Sequence, residues 1–283
     1  MKKITLLALA VFFLLRSSYD EAWAQVLDPS DFLYRQQIWM TNYTRAETLV
    51  DIPLLVTYDT NQSGFYTGMS SPQDAGDLRF TAADGTNLLH HEVDFWNTNG
   101  DSHIWVEVPA LTTGVLIWAY WGGVDRTTPA YALDGSVWDN GYRAVWHMTE
   151  SDGNPRDSAR NPGDHQGVNA GTAGAAVDAR VGQGYDFSGT GLINISNVGE
   201  LANLNQVTVS YWYYKRSPGG GNHGSVLGGA GYSDGFRHLN TDSVHMRLQG
   251  NAAVNSGDLA DDAWHHLGFS FNNPLNTARA WLN

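Results

Sequence analysis

The 283-residue chain contains no cysteine. That excludes disulfide staples, thiolate metal centres and cysteine nucleophiles, so stability must come from buried cores. Lysine is nearly absent as well: beyond residue 3 it occurs only at Lys215. Charged residues make up 16% of the chain, and acids outnumber bases 29 to 16, for a formal net charge of −13. A field of that sign repels phosphate backbones and anionic lipid, which speaks against nucleic-acid partners. After residue 15 there is no long helical periodicity and no apolar run of membrane-spanning length.

The one apolar run opens the chain. "MKKITLLALAVFFLLRSSYDEAWAQ" sets two lysines before residues 4–15, and Ala22-Trp23-Ala24 supplies small residues where a signal peptidase cuts. This is the pattern of a secretory signal over 1–24, too short and wrongly flanked for a lasting span. The reading implies export to the periplasm, cell surface or medium, with no stable membrane span afterwards. Losing three of 16 bases and two of 29 acids leaves 13 and 27, a mature formal charge of about −14.

What the remainder does contain is short β-prone runs between Gly, Asn, Asp and Pro turns. In "SHIWVEV" the alternation is clean: Ile104, Val106 and Val108 face one way, with His103, Trp105 and Glu107 opposite. Strands of this kind need a second sheet over their apolar faces, so the pattern predicts an all-β chain of two consecutive β-sandwich domains. The turn-rich "GGVDRTTPAYALDG" separates them, giving 25–128 and 129–283.

The run from Asp77 to Trp96, "DLRFTAADGTNLLHHEVDFW", concentrates titratable side chains. Strand parity puts His90, Glu92, Asp94 and Trp96 on one face and Leu89, His91, Val93 and Phe95 on the other. The adjacent histidines therefore point apart and cannot share one metal. A polar ladder of His90, Glu92 and Asp94 is what remains, after a hairpin turning at Asp84-Gly85.

Catalytic signatures are missing. There is no Gly-x-Ser-x-Gly elbow and no His-Glu-x-x-His. Glycoside cleavage needs two carboxylates flanking the bond. The nearest match to a Glu-x-Asp hydrolase strand is Glu150-Ser-Asp152, followed by Gly-Asn-Pro, which would end a strand. No catalytic residue is assigned. In "VSYWYYKR", Trp212 and Tyr214 share one face and Tyr211 and Tyr213 the other; one pair belongs to the core, and the sequence does not say which.

Two resemblances add to this. Asp77 to Phe80, Asp84-Gly85, Leu88-Leu89, Glu92, Trp96, Trp105 to Pro109 and Tyr120 to Gly122 follow the pattern of an exported bacterial domain family of unknown function, over about 32–123. "VWHMTE", "VGQGYDFSGTGLINI", "LNQVTVSYWYYKR" and "DDAWHHLGFSF" resemble successive motifs of the concanavalin-A-like, laminin-G-like jelly roll, over about 137–283. That resemblance implies closing strands beyond "WLN", so the second domain is expected to be incomplete. It implies a non-catalytic module that binds polysaccharide or surface glycan, or mediates adhesion. A secreted carbohydrate-active enzyme and a structural envelope protein are the alternatives. It also implies calcium near the loop carrying Asp152, Asn154, Asp157 and Asp164, where oxygen ligands on irregular backbone suit the ion. Asp157 is the leading candidate ligand and Asp186 the second. No other cofactor is implied.

Overall fold

The computed structural model describes residues 26–62, 64–124, 126–160, 165–187, 191–197, 204–216, 225–228, 235–238, 243–248, 251–272, 274–275 and 277–282. The expected signal segment and Asp164 lie outside these residues. The fold is all-β, as the alternation predicts. No helix among the described residues is long and apolar enough to cross a membrane.

Seven strands come first: β1 (Tyr34–Met40), β2 (Leu49–Tyr58), β3 (Arg79–Thr81), β4 (Leu88–Leu89), β5 (His91–Phe95), β6 (Ser102–Leu111) and β7 (Val115–Trp121). They form a sheet of order β1-β7-β3-β4 and another of order β2-β6-β5. Eleven follow: β8 (Gly167–Asn169), β9 (Gly174–Asp178), β10 (Gln183–Asp186), β11 (Ile193–Ile195), β12 (Gln206–Lys215), β13 (Ser225–Gly228), β14 (Gly235–His238), β15 (Val244–Leu248), β16 (Asn251–Asn255), β17 (Ala263–Asn272) and β18 (Thr277–Leu282). The main sheets here run β12-β17-β18 and β13-β14-β15-β16, beside the two-stranded pairs β10-β9 and β11-β8.

Two compact units result. One holds the described residues up to Leu54 with Asn61–His91 and Val106–Pro129; the other holds Leu55–Thr60, Glu92–Trp105 and the chain from Ala130. The strands β2, β5 and β6 each contribute residues to both.

In the first unit the Asp84-Gly85 turn joins β3 to β4, with Phe80 opposite Leu89. Gly85 takes φ +79°, a conformation that costs a residue with a Cβ, and the Asp84 carboxylate accepts from the Thr86 and Asn87 amides. Tyr120 donates to the Gly85 carbonyl at 3.0 Å, fixing the turn to β7. Asp77 is fully buried and accepts from the amides of Ser70, Ser71 and Gly122 at 2.6–3.0 Å. Three N–H donors offset the desolvation of that carboxylate and close the loop before β3. The parity of "SHIWVEV" is the observed one: Ile104, Val106 and Val108 are buried.

In the second unit Val244, Leu259, Leu267 and Phe269 form a core, with Val209, Tyr211, Tyr213, Val254, Phe271, Ala278 and Ala280 packed on it. Side chains of β12, β17 and β18 thus meet those of β15 and β16, two sheets face to face. Lys215 ends β12 on the buried side, donating to the Leu259 carbonyl at 3.1 Å and pairing with Asp261 at 2.6 Å.

His91 is buried against the edge of Phe80, with ring centroids 5.3 Å apart. Burial, helped by the charges of Arg79 and His90, pushes its imidazole down to about 3 from an ordinary 6.5. The folded chain keeps the ring neutral, whereas the unfolded chain takes up a proton below 6.5. This ring therefore costs stability progressively as pH falls from about 6.5 towards 3. A His91→Met variant should retain about 2 kcal/mol more of its neutral-pH stability at pH 5 than the parent does. Urea unfolding of both proteins at pH 7 and pH 5 measures it, and equal losses would refute it.

Candidate functional site

The burial of β12 decides which aromatic pair is core. Tyr211 and Tyr213 turn inward onto Leu267 and Phe269, while Trp212 and Tyr214 remain 42% and 39% exposed. On the antiparallel neighbour β17, Trp264 stands opposite Tyr214 and His266 opposite Trp212. Their ring centroids lie 5.3 Å and 5.0 Å apart. One step further across, Gly268 faces Trp281 of β18. The indole lies over the bare glycine: a Cβ built on Gly268 would meet ring atoms of Trp281 at 1.9 Å. A missing side chain thus seats the ring against the sheet, while 41% of Trp281 stays exposed. With neighbouring strands about 4.8 Å apart, the aromatic strip crosses roughly 10 Å of sheet.

Two guanidinium groups accompany it. That of Arg180 lies over the Trp212 ring, 5.5 Å from its centroid. Arg279, exposed on β18, is two residues from Trp281 and so shares its face. The sequence reading named Trp212 and Tyr214 but missed Trp281, Gly268 and both arginines. The alternation of "TARAWL" and the lone glycine inside "AWHHLGFSF" were the available signals.

The calcium candidates are engaged elsewhere. Asp157 accepts from the amides of Val145 (2.9 Å) and Ala159 (3.0 Å) through Oδ1. Its Oδ2 accepts from the His165 amide at 3.3 Å and lies 2.9 Å from the His165 ring Nδ1. Both side chains are essentially unexposed. Calcium takes oxygen ligands, whereas the contacts of this carboxylate are to backbone N–H groups and an imidazole. Asp186 pairs with Arg216 at 2.5 Å. Asp152 pairs with Arg156 at 3.1 Å and caps Asn154 at 3.0 Å. Among the described residues no group of three or more His, Asp or Glu side chains is placed to hold a metal. The loop acids that read as oxygen ligands mainly tie loop backbone.

The expected ladder of His90, Glu92 and Asp94 divides. His90 contacts Glu107 at 2.8 Å. Glu92 and Asp94 instead bracket His147, a residue the sequence reading left unassigned because its partners lie more than fifty positions away. Glu92 Oε1 is 3.5 Å from His147 Nε2, and Asp94 Oδ2 is 3.4 Å from Nδ1. The indole of Trp138 donates to Glu92, and that of Trp105 donates to Asp94 at 3.0 Å. Trp105 also stacks on the imidazole, with ring planes 20° apart.

Burial pulls the His147 imidazole down, but its hydrogen bond to Glu92 and the charges of Asp94, Glu92 and Glu150 outweigh it, and its pKa is raised. Burial likewise works against ionised Glu92, yet donors from His147, Trp138 and Ser158 and the charge of His147 hold its carboxyl low. Burial wins at Asp94, which is raised despite the charge of His147 and the Trp105 donor. His147 shows a different nitrogen to each acid, so the three cannot converge on one ion.

No family model, curated protein or solved structure matches the chain.

Replacing Asp157 by Ala strands buried N–H groups and should cost about 3 kcal/mol or more in urea unfolding. Millimolar calcium should leave the parent's melting temperature unchanged; a rise with ion concentration would reveal an occupied site. Replacing His147 by Leu leaves two buried acids uncompensated and should cost about 3–5 kcal/mol at pH 7. Adding Glu92→Gln and Asp94→Asn should recover part of that loss in the same assay.

Proposed function

We propose that this is an exported, non-catalytic module that binds polysaccharide or a surface glycan through the outer face of β12-β17-β18. The observation that carries the proposal is the half-exposed strip of Trp212, Tyr214 and Trp281, with Trp281 laid flat on Gly268. Exposed aromatic rings on a rigid sheet offer apolar faces to the C–H faces of sugars, while nearby hydroxyl and amide side chains serve the sugar hydroxyls. Thr208, Ser210, Ser270 and Asn272 have the right parity to surround the strip. The sheet's inner face holds the rings in register, so little ordering is left to binding. The leader-like N-terminus and the resemblance to the concanavalin-A-like, laminin-G-like fold agree with the reading. Attachment of a cell to a glycan-coated surface would use the same face.

A hydrolase reading has one observation in its favour. Glu92-Val-Asp94 puts two carboxylates on one strand face, with environments that push their pKa values apart. His147 stands between them, so an imidazole occupies the place where the scissile bond would have to lie. Binding is therefore the reading adopted.

Affinity electrophoresis of the purified chain against a panel of soluble and insoluble polysaccharides tests it. Retardation by at least one polymer is expected, with affinity reduced tenfold or more in Trp281→Ala and Tyr214→Ala and the melting temperature held within a few degrees. Absence of saturable binding across the panel would overturn the proposal.

A further inference from the structure

The charge distribution on the aromatic face narrows the ligand. We infer that the face is built for an acidic polysaccharide, one whose sugars carry carboxylates, with Arg180 and Arg279 as the residues that pair with them. This rests on the glycan-binding reading above and specifies its substrate class.

The chain has few cations to place, 16 basic residues against 29 acidic. Two of them border this strip. Arg180 lies over Trp212 on β12, one edge of the described sheet, and Arg279 stands beside Trp281 on β18, the other edge. Both are exposed, and among the described residues neither has a carboxylate partner. Arg216, immediately after β12, differs in this respect, because Asp186 neutralises it at 2.5 Å.

The same-parity positions of the three strands hold no acid at all. Apart from the aromatics, His266 and Arg279, they are Ser, Thr, Gln, Asn and Gly. The strand positions of this face thus carry no carboxylate of their own, and a guanidinium stands at each edge. Fields are screened over about 8–10 Å at ordinary ionic strength, so this local pattern outweighs the distant net charge.

The kind of acid follows from the kind of cation. A guanidinium is a planar fork whose parallel N–H groups match the two oxygens of a carboxylate. Its stacking on Trp212 holds the Arg180 fork over an aromatic surface without drawing on its hydrogen bonds. A polymer of uronic acids offers what such a face can use: an apolar ring side for Trp281 and Tyr214, and a carboxylate at each repeat for the arginines.

Binding of the full chain to polygalacturonate and to alginate, each compared with its esterified form, is the test. Esterification keeps the backbone and removes the charge. The acid form of at least one polymer should bind tenfold or more tighter than its ester. Arg180→Gln with Arg279→Gln should bring acid and ester to the same affinity, and Trp281→Ala should weaken both. Equal binding of acid and ester by the parent, or preferential binding of neutral glucans, would overturn the inference while leaving the glycan reading standing. A preference that survives the double arginine variant would overturn the assignment to these two residues. Dextran sulfate bound as tightly as polygalacturonate would show attraction to charge alone and would overturn carboxylate recognition. No binding to any of these polymers or to neutral glycans would overturn the inference and the glycan reading together.

Discussion

A buried carboxylate that gathers backbone N–H groups holds each unit's loops in place. Asp77 draws in the amides of Ser70, Ser71 and Gly122; Asp157 draws in those of Val145, Ala159 and His165. Without cysteine the chain has no covalent cross-links, and a charged acceptor with three donors is a strong non-covalent substitute. Each links segments that are apart in sequence: 45 positions between Asp77 and Gly122, and 12 between Asp157 and Val145. The strands can then be short, because the turns between them are held independently of the ladders.

The exposed face of β12-β17-β18 follows from what its other face must do. Val209, Tyr211, Leu267, Phe269 and Ala280 are required inside by the core they make with Val244, Leu259 and Val254. Period-two alternation then sends Trp212, Tyr214, Trp264, His266 and Trp281 outward. A solvent-facing strand surface is normally polar, since aromatic rings there gain only part of the burial that a core gives. On this face the rings pack on one another and on Gly268, and each still leaves part of its surface in solvent.

Much of the fold was legible because it depends on local alternation. The buried row of Ile104, Val106 and Val108, the Asp84-Gly85 hairpin and the divergence of His90 from His91 all follow from spacing. The site was less legible. Both faces of "VSYWYYKR" are aromatic, so only the partner sheet distinguishes Tyr211 from Trp212. His147 looked unremarkable because Glu92 and Asp94 reach it from another part of the chain. At Asp157 the residue type was suggestive and the partners were not visible: a loop aspartate facing amides and one facing a cation read alike.

The pairing of Gly268 with Trp281 has a consequence for how this face can change through descent. The outer surface is encoded partly by an absence, the hydrogen at position 268 that lets an indole lie down. A substitution there, even to Ala, would evict the ring while sparing the core side chains on the opposite side of the strand. Loss of the platform and loss of the fold are therefore separable events. A lineage could shed this surface in one step and keep the sandwich, ready for a different use.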